Sequence, residues 1–165
     1  MRNRIFFSII ILWCSMLSLY SQTATAPSNG DGSSGNPYQI ANLANLYWIT
    51  QNSSNMDKYY IQTANIDLSS TESWNFVGGA PCCYGIPSIG SYNDDDPFTG
   101  NYNGQSYVIS NLYVRSTNGG RGLFGTISGA TIQNVILTDV DVDIEGQIVG
   151  GLVGKANNST INNCS

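Results

Sequence analysis

The sequence predicts an all-β chain, a right-handed parallel β-helix or solenoid with a short N-terminal capping helix and an incomplete C-terminal end. Three observations predict it. Gly122-Leu123-Phe124-Gly125 recurs 29 residues later as Gly151-Leu152-Val153-Gly154, and Thr131-Ile132-Gln133-Asn134-Val135 recurs in the same register as Thr160-Ile161-Asn162-Asn163-Cys164. A fixed period of this length marks an architecture in which each unit stacks on the last. After Leu68 the segments are strand-sized and broken by Gly, Asn or Asp. Only 10% of residues are charged, and heavy use of Asn, Gly, Ser and Thr suits exported β-proteins rather than helical cytosolic ones.

Residues 1–22 read as a signal peptide, with cleavage between 21 and 26. Arg2 and Arg4 precede an apolar run, Ile5 to Leu19, of 15 residues, and Ser21 to Ala26 supply the small residues a peptidase needs. The run is shorter than the ~20 residues of a spanning helix, so no membrane insertion is expected after processing. Trp13 ahead of Cys14 argues against a lipoprotein site. Residues 23–36, rich in Gly, Ser and Asn, are expected to be a flexible linker.

A cap region follows over 37–97. Tyr38-Gln39-Ile40 reads as a short strand. Asn42 to Gln51 reads as the one helix, with Leu43, Leu46, Tyr47 and Thr50 at helical spacing. Asn52-Ser53-Ser54-Asn55 ends it, and Tyr59 to Leu68 reads as one strand. Residues 98–165 then form the rungs. A partial third copy, Ile109-Ser110-Asn111-Leu112, aligns with Ile132 to Val135 at a spacing of 23. In the middle rung Ile132, Ile136, Val140, Val142 and Ile144 share one parity and point inward, while Asp139, Asp141 and Asp143 face water. The glycines of each Gly-x-x-Gly are expected to turn the chain where a Cβ would clash. Asn111, Asn134 and Asn163 are expected to stack as an amide ladder.

Charge and missing residue types narrow the function. Loss of Arg2 and Arg4 with the leader leaves four basic residues against eleven acidic ones. That excess opposes nucleic acid and anionic lipid as partners. Histidine is absent, which excludes Ser-His-Asp and Cys-His catalysis and His-ligated zinc within this chain. Cys82, Cys83 and Cys164 remain after processing; their pairing stays open, and all three read first as small packing residues.

Three constellations merit weighing. Asp94, Asp95 and Asp96, with Asn93, Tyr92 and Tyr102 nearby, form a loop where calcium could relieve carboxylate repulsion. The run lacks the usual spacers and glycine, and a solvated turn before Pro97 explains it first. Asp139, Asp141, Asp143 and Glu145 form an acidic stripe that reads as an exposed strand face. Tyr84, Tyr92, Tyr102, Tyr107 and Tyr113, mixed with Asn and Asp, could present aromatic faces to sugar rings, Tyr92 and Tyr102 being the candidate glycan contacts; packing between rungs is the plainer account. A polysaccharide-cleaving site would need carboxylates at aligned positions on successive rungs. Those positions hold Gly, Ile, Asn and Thr, so no enzyme and no cofactor are expected.

The repeat residues resemble the GLUG-motif repeats of bacterial surface proteins, named for their Gly-Leu-x-Gly core. The resemblance rests on Gly151, Leu152 and Gly154 followed by Ile161 and Asn163, and on Gly122, Leu123 and Gly125 followed by Ile132 and Asn134. It implies a secreted or cell-surface β-helical protein serving adhesion or structure, here a fragment of a longer repeat protein. The partners it implies are an extracellular glycan or protein surface and further repeats of its own chain. The alternative is a non-catalytic carbohydrate-binding or spacer region of a larger secreted hydrolase or peptidase.

Overall fold

A computed structural model describes residues 22–75, 84–91, 94–116, 121–144 and 148–165. The leader up to Ser21, together with Cys82, Cys83, Tyr92, Asn93 and Glu145, lies outside the described residues. Those described form an all-β fold of parallel sheets with little helix.

The segment 23–36 is held down rather than free. Residues 23–36, expected to be a flexible linker, bond to the fold: Thr25 N–H donates to Ala44 O at 3.1 Å, Gln39 N–H to Asn29 O at 3.1 Å, and Tyr59 N–H to Gly32 O at 3.0 Å. Asp31 closes the turn by accepting from the Ser33 amide and the Asn36 side chain. A polar composition suggested freedom, but backbone pairing to neighbouring strands supplies the order. Strand β1 (Tyr38–Ile40) leads into helix α1 (Leu43–Ile49). Asn42 caps the helix, its side chain accepting from the Asn45 amide at 3.0 Å. Thr50, expected inside the helix, ends it by donating to Tyr47 O at 2.8 Å. Seven residues would not hold a helix in isolation; burial of Leu46, Tyr47 and Ile49 does.

The predicted strand Tyr59–Leu68 is two, β2 (Tyr59–Gln62) and β3 (Ile66–Asp67). Then come β4 (Asn101–Asn103), β5 (Val108–Ser110), β6 (Tyr113–Ser116), β7 (Phe124–Ser128), β8 (Thr131–Gln133), β9 (Ile136–Thr138), β10 (Asp141–Ile144), β11 (Val153–Asn157) and β12 (Thr160–Asn162). Every pairing between these strands is parallel. One sheet runs β1-β2-β4-β8-β12, a second β3-β5-β9, and two pairs are β6-β10 and β7-β11.

The two full repeats lie in register. Thr131, Ile132 and Gln133 pair with Thr160, Ile161 and Asn162, and Phe124 pairs with Val153. The third copy is misplaced in the sequence alignment. Ile109 pairs with Leu137, not Ile132; the segment above Ile132 is Asn101-Tyr102-Asn103, with Tyr102 opposite it.

The corners explain that slip. Asn111, Asn134, Asp139, Asn158 and Asn163 adopt φ between 47° and 57°, and Gly129, aligned with Asn158, has φ 64°. These are left-handed conformations that Gly, Asn and Asp tolerate best. Each corner resets which side chains point inward. Val135 is fully buried, Leu137 packs on the core beneath Ile109 and Ile66, and Val140 is 41% exposed. A single parity through Ile132, Ile136 and Val140 therefore does not hold. Val142 does face inward, beside Val114.

The glycine motif divides in two. A Cβ on Gly122 would lie 2.4 Å from Gly150 O, so this position serves close approach between successive passes of the chain. Gly125 and Gly154 lie inside β7 and β11 rather than at turns. Between the sheets Phe98 and Phe124 sit 5.3 Å apart and Tyr102 and Phe124 5.5 Å apart, ring to ring.

Candidate functional site

The most regular polar feature is an amide ladder on the five-stranded sheet. Asn134 Nδ2 donates to Asn103 Oδ1 at 2.9 Å, and Asn163 Nδ2 donates to Asn134 Oδ1 at 2.7 Å. Asn111 stands outside it, donating instead to Asp67 Oδ1 at 2.9 Å. Asn103 was missed from sequence. Its signal was the Asn103-Gly104 corner, which falls where Gln133-Asn134 falls one pass later.

Asp67 shows what these corners do to charge. The Asn111 amide, then the Ser69 amide and hydroxyl, donate to its carboxylate and hold its pKa below the ordinary value. The group is fully exposed, so solvent shares the effect.

The candidate calcium loop is tied up by a lysine. Lys155 Nζ, on β11, reaches both carboxylate oxygens of Asp94 at 2.9 and 2.7 Å. Asp96 O accepts from the Ser91 amide, closing the loop, and Asp95 is exposed. Among the described residues no group of three or more His, Cys, Asp or Glu is placed to hold a metal. Two members of the acidic stripe, Asp141 and Asp143, are likewise partnered. Arg115 lies 2.7 Å from Asp141 and 3.9 Å from Asp143, with its guanidinium 4.2 Å above the Tyr113 ring. The two aspartates are largely exposed, so each ion pair contributes ~1 kcal/mol or less.

Tyr102 cannot meet a glycan. It is 1% exposed, packed against Tyr60 and Phe124, with its hydroxyl donating to Gln62 Oε1. Burial pushes its hydroxyl pKa up. Inward parity in β4 places it there, since Asn101 and Asn103 take the outward face. Among the described residues Tyr59 and Tyr107, each 37% exposed, are the tyrosines that reach solvent most. Cys164 is a free, half-buried thiol packed on the core.

No helix among the described residues is long and apolar enough to cross a membrane. No family model matches the chain, and no solved structure matches it. A protein named halomucin, from Haloquadratum walsbyi (strain DSM 16790 / HBSQ001), is 36% identical over 143 residues, which cover 84% of this chain. The chain spans about 2% of the length of that relative.

Proposed function

We propose that this chain is an exported cell-surface structural or adhesion protein, built as a right-handed β-solenoid of GLUG-type repeats and without catalytic chemistry of its own. The observation that carries the reading is the 29-residue register, in which Thr131-Ile132-Gln133 and Thr160-Ile161-Asn162 lie side by side in parallel. Stacked passes of this kind yield a stiff, elongating body, and the leader-like start and acidic balance suit the outside of a cell. The likeness to halomucin, by its name a mucin, supports a surface setting. That relative is archaeal, so it lends nothing to a specifically bacterial assignment. Three of the candidate carboxylates sit beside basic groups: Asp94 with Lys155, and Asp141 and Asp143 with Arg115.

The test is exposure on living cells. The native gene product, probed with antibody and digested by protease on intact cells, should be accessible and should lack its leader by mass spectrometry. A protein that resists digestion until lysis and keeps Met1 or Arg2 would contradict the reading.

A further inference from the structure

A cleft beside β6 gathers half of the basic residues that follow the leader-like segment. Those residues are Lys58, Arg115, Arg121 and Lys155, and both arginines line one cavity of about 280 Å³. The two lysines stand elsewhere, Lys58 against Asp57 and Lys155 against Asp94. Residues 84–87 build the cavity by crossing β6 against the direction of the stack: Gly85 pairs with Val114 antiparallel. The crossing is pinned. The Tyr84 and Gly85 amides donate to Trp74 O, the Arg115 amide donates to Tyr84 O at 3.1 Å, and Asn75 Nδ2 donates to Gly85 O at 2.6 Å. A Cβ on Gly85 would collide with Tyr113 O, so glycine alone admits this approach. A loop held this firmly on a rigid scaffold is where binding sites are commonly placed.

The cavity joins an apolar floor to a cationic wall. Ile86 and Val114, 3% and 2% exposed, form the floor. Arg115 is set in place by bonds to Val114 O, Asp141 O and the Asp141 carboxylate, and by stacking on Tyr113. Asp141 is 63% exposed, so water screens that pair and leaves the guanidinium's field in the cleft. Arg121 is placed through its backbone, which pairs with Val149 and accepts from the Gly150 amide. Among the described residues no carboxylate lines this cavity; Glu72 and Asp141 line a separate hollow with Tyr113. Guanidinium forks match the planar geometry of a carboxylate. The half-buried Tyr84 and the apolar floor offer a surface to the C–H face of a sugar ring, and the Asn75 amide offers a partner to hydroxyls. The volume falls just below the ~300–1,000 Å³ of pockets for drug-sized ligands, which suits a single ring.

We propose that this cleft binds the carboxylate-bearing ring of an acidic sugar, its carboxylate between Arg115 and Arg121 and its ring against Tyr84 and Val114. The acidic balance of the rest of the chain favours one charge at the end of a glycan over an internal stretch of a polyanion. This inference deepens the surface reading above by naming a ligand class, and takes from it only the extracellular setting.

The test is nuclear magnetic resonance titration of the isotope-labelled protein. Methyl glucuronide, methyl galacturonide and N-acetylneuraminic acid are compared with methyl glucoside, sodium acetate and sodium sulfate. At least one acidic sugar should shift the amides of residues 84–86, 114 and 115 saturably. Methyl glucoside should shift none of them, and acetate and sulfate should bind about tenfold more weakly or worse, since they lack the ring contacts. Arg121→Gln should weaken the acidic sugar by about tenfold or more, the loss of a charge-assisted hydrogen bond; Lys58→Gln should leave it unchanged. If Arg121→Gln fails to fold, Arg121→Lys, which keeps the charge without the fork, should still weaken binding. No shift with any acidic sugar, or an equal response to methyl glucoside, acetate or sulfate, would overturn the proposal, as would an equal loss in Lys58→Gln. Antibody access on intact cells without any titration response removes the cleft alone; a response without access removes the surface reading alone.

Discussion

At the scale of single residues, Asn111, Asn134 and Asn163 carry two loads at once, a left-handed backbone and a side-chain bond to a neighbouring pass. Asn134 has φ 55° and bonds to both Asn103 and Asn163. Asn134→Gly keeps the backbone conformation and removes the amide. Two part-exposed hydrogen bonds contribute ~1–2 kcal/mol together, or roughly 2–8 °C in Tm for a chain of this size. Asn134→Leu adds a left-handed strain of ~1–2 kcal/mol. The predicted order of melting temperatures is therefore Asn above Gly above Leu, and a Leu variant that melts with the wild type would remove the ladder from the account. Asp67 makes a pH prediction. Its pKa is lowered by Asn111 first, so the stability it contributes is present above its unfolded value and lost as pH falls through the folded one. Asn111→Gly should therefore lower Tm at pH 6 and leave it nearer the wild type at about pH 2, below the usual carboxylate range. A Tm difference that stayed constant down to acid pH would deny the Asp67 link. The same residues mark where sequence reading stopped short. A left-handed corner is written as Asn, Asp or Gly, but so is any turn, and nothing in the spelling tells which corner stacks on which.

At the scale of elements, burial follows position in the stack. Phe124 in β7 is fully buried between Phe98 and Tyr102, while its partner Val153 in β11 is half-buried. Phe124→Ala should cost about 3–5 kcal/mol, and Val153→Ala roughly 1 kcal/mol given its remaining exposure. Denaturant unfolding of both variants checks the ratio; comparable losses would mean that β11 is covered in solution by something else. Element identity was largely legible. The helix over 42–51 was visible from its spacing and occurs as Leu43–Ile49, and Tyr38–Ile40 is a strand as read. Tyr59–Leu68 divides because Gln62, fully buried, turns its amide to Ala64 O and Val108 O, a long-range bond that alternation cannot reveal. Parity within a strand was sound, but parity carried across a corner was not, and Val140 is where the two part.

At the scale of the whole molecule, the 29-residue period was readable because it is a spacing, which survives without knowledge of any contact. The partial copy at Ile109 was misplaced because the pass that pairs with Ile132 carries Tyr102 in place of an Ile, a larger side chain in the same buried row. Tyr60, Tyr102 and Ile132 form that row, exposed 1%, 1% and 0%, and Ile161 extends it. The candidate glycan and calcium residues were the least legible part, since Tyr102 and Asp94 owe their settings to neighbours 22 or more residues away in sequence. The central claim is the parallel, 29-residue register of β8 and β12. Nuclear Overhauser spectroscopy of the mature protein reads it directly. The account predicts Hα-to-amide contacts linking residues 131–133 with 160–162 in one direction along both strands. Short Hα-to-Hα contacts between those strands, the signature of antiparallel neighbours, would contradict it.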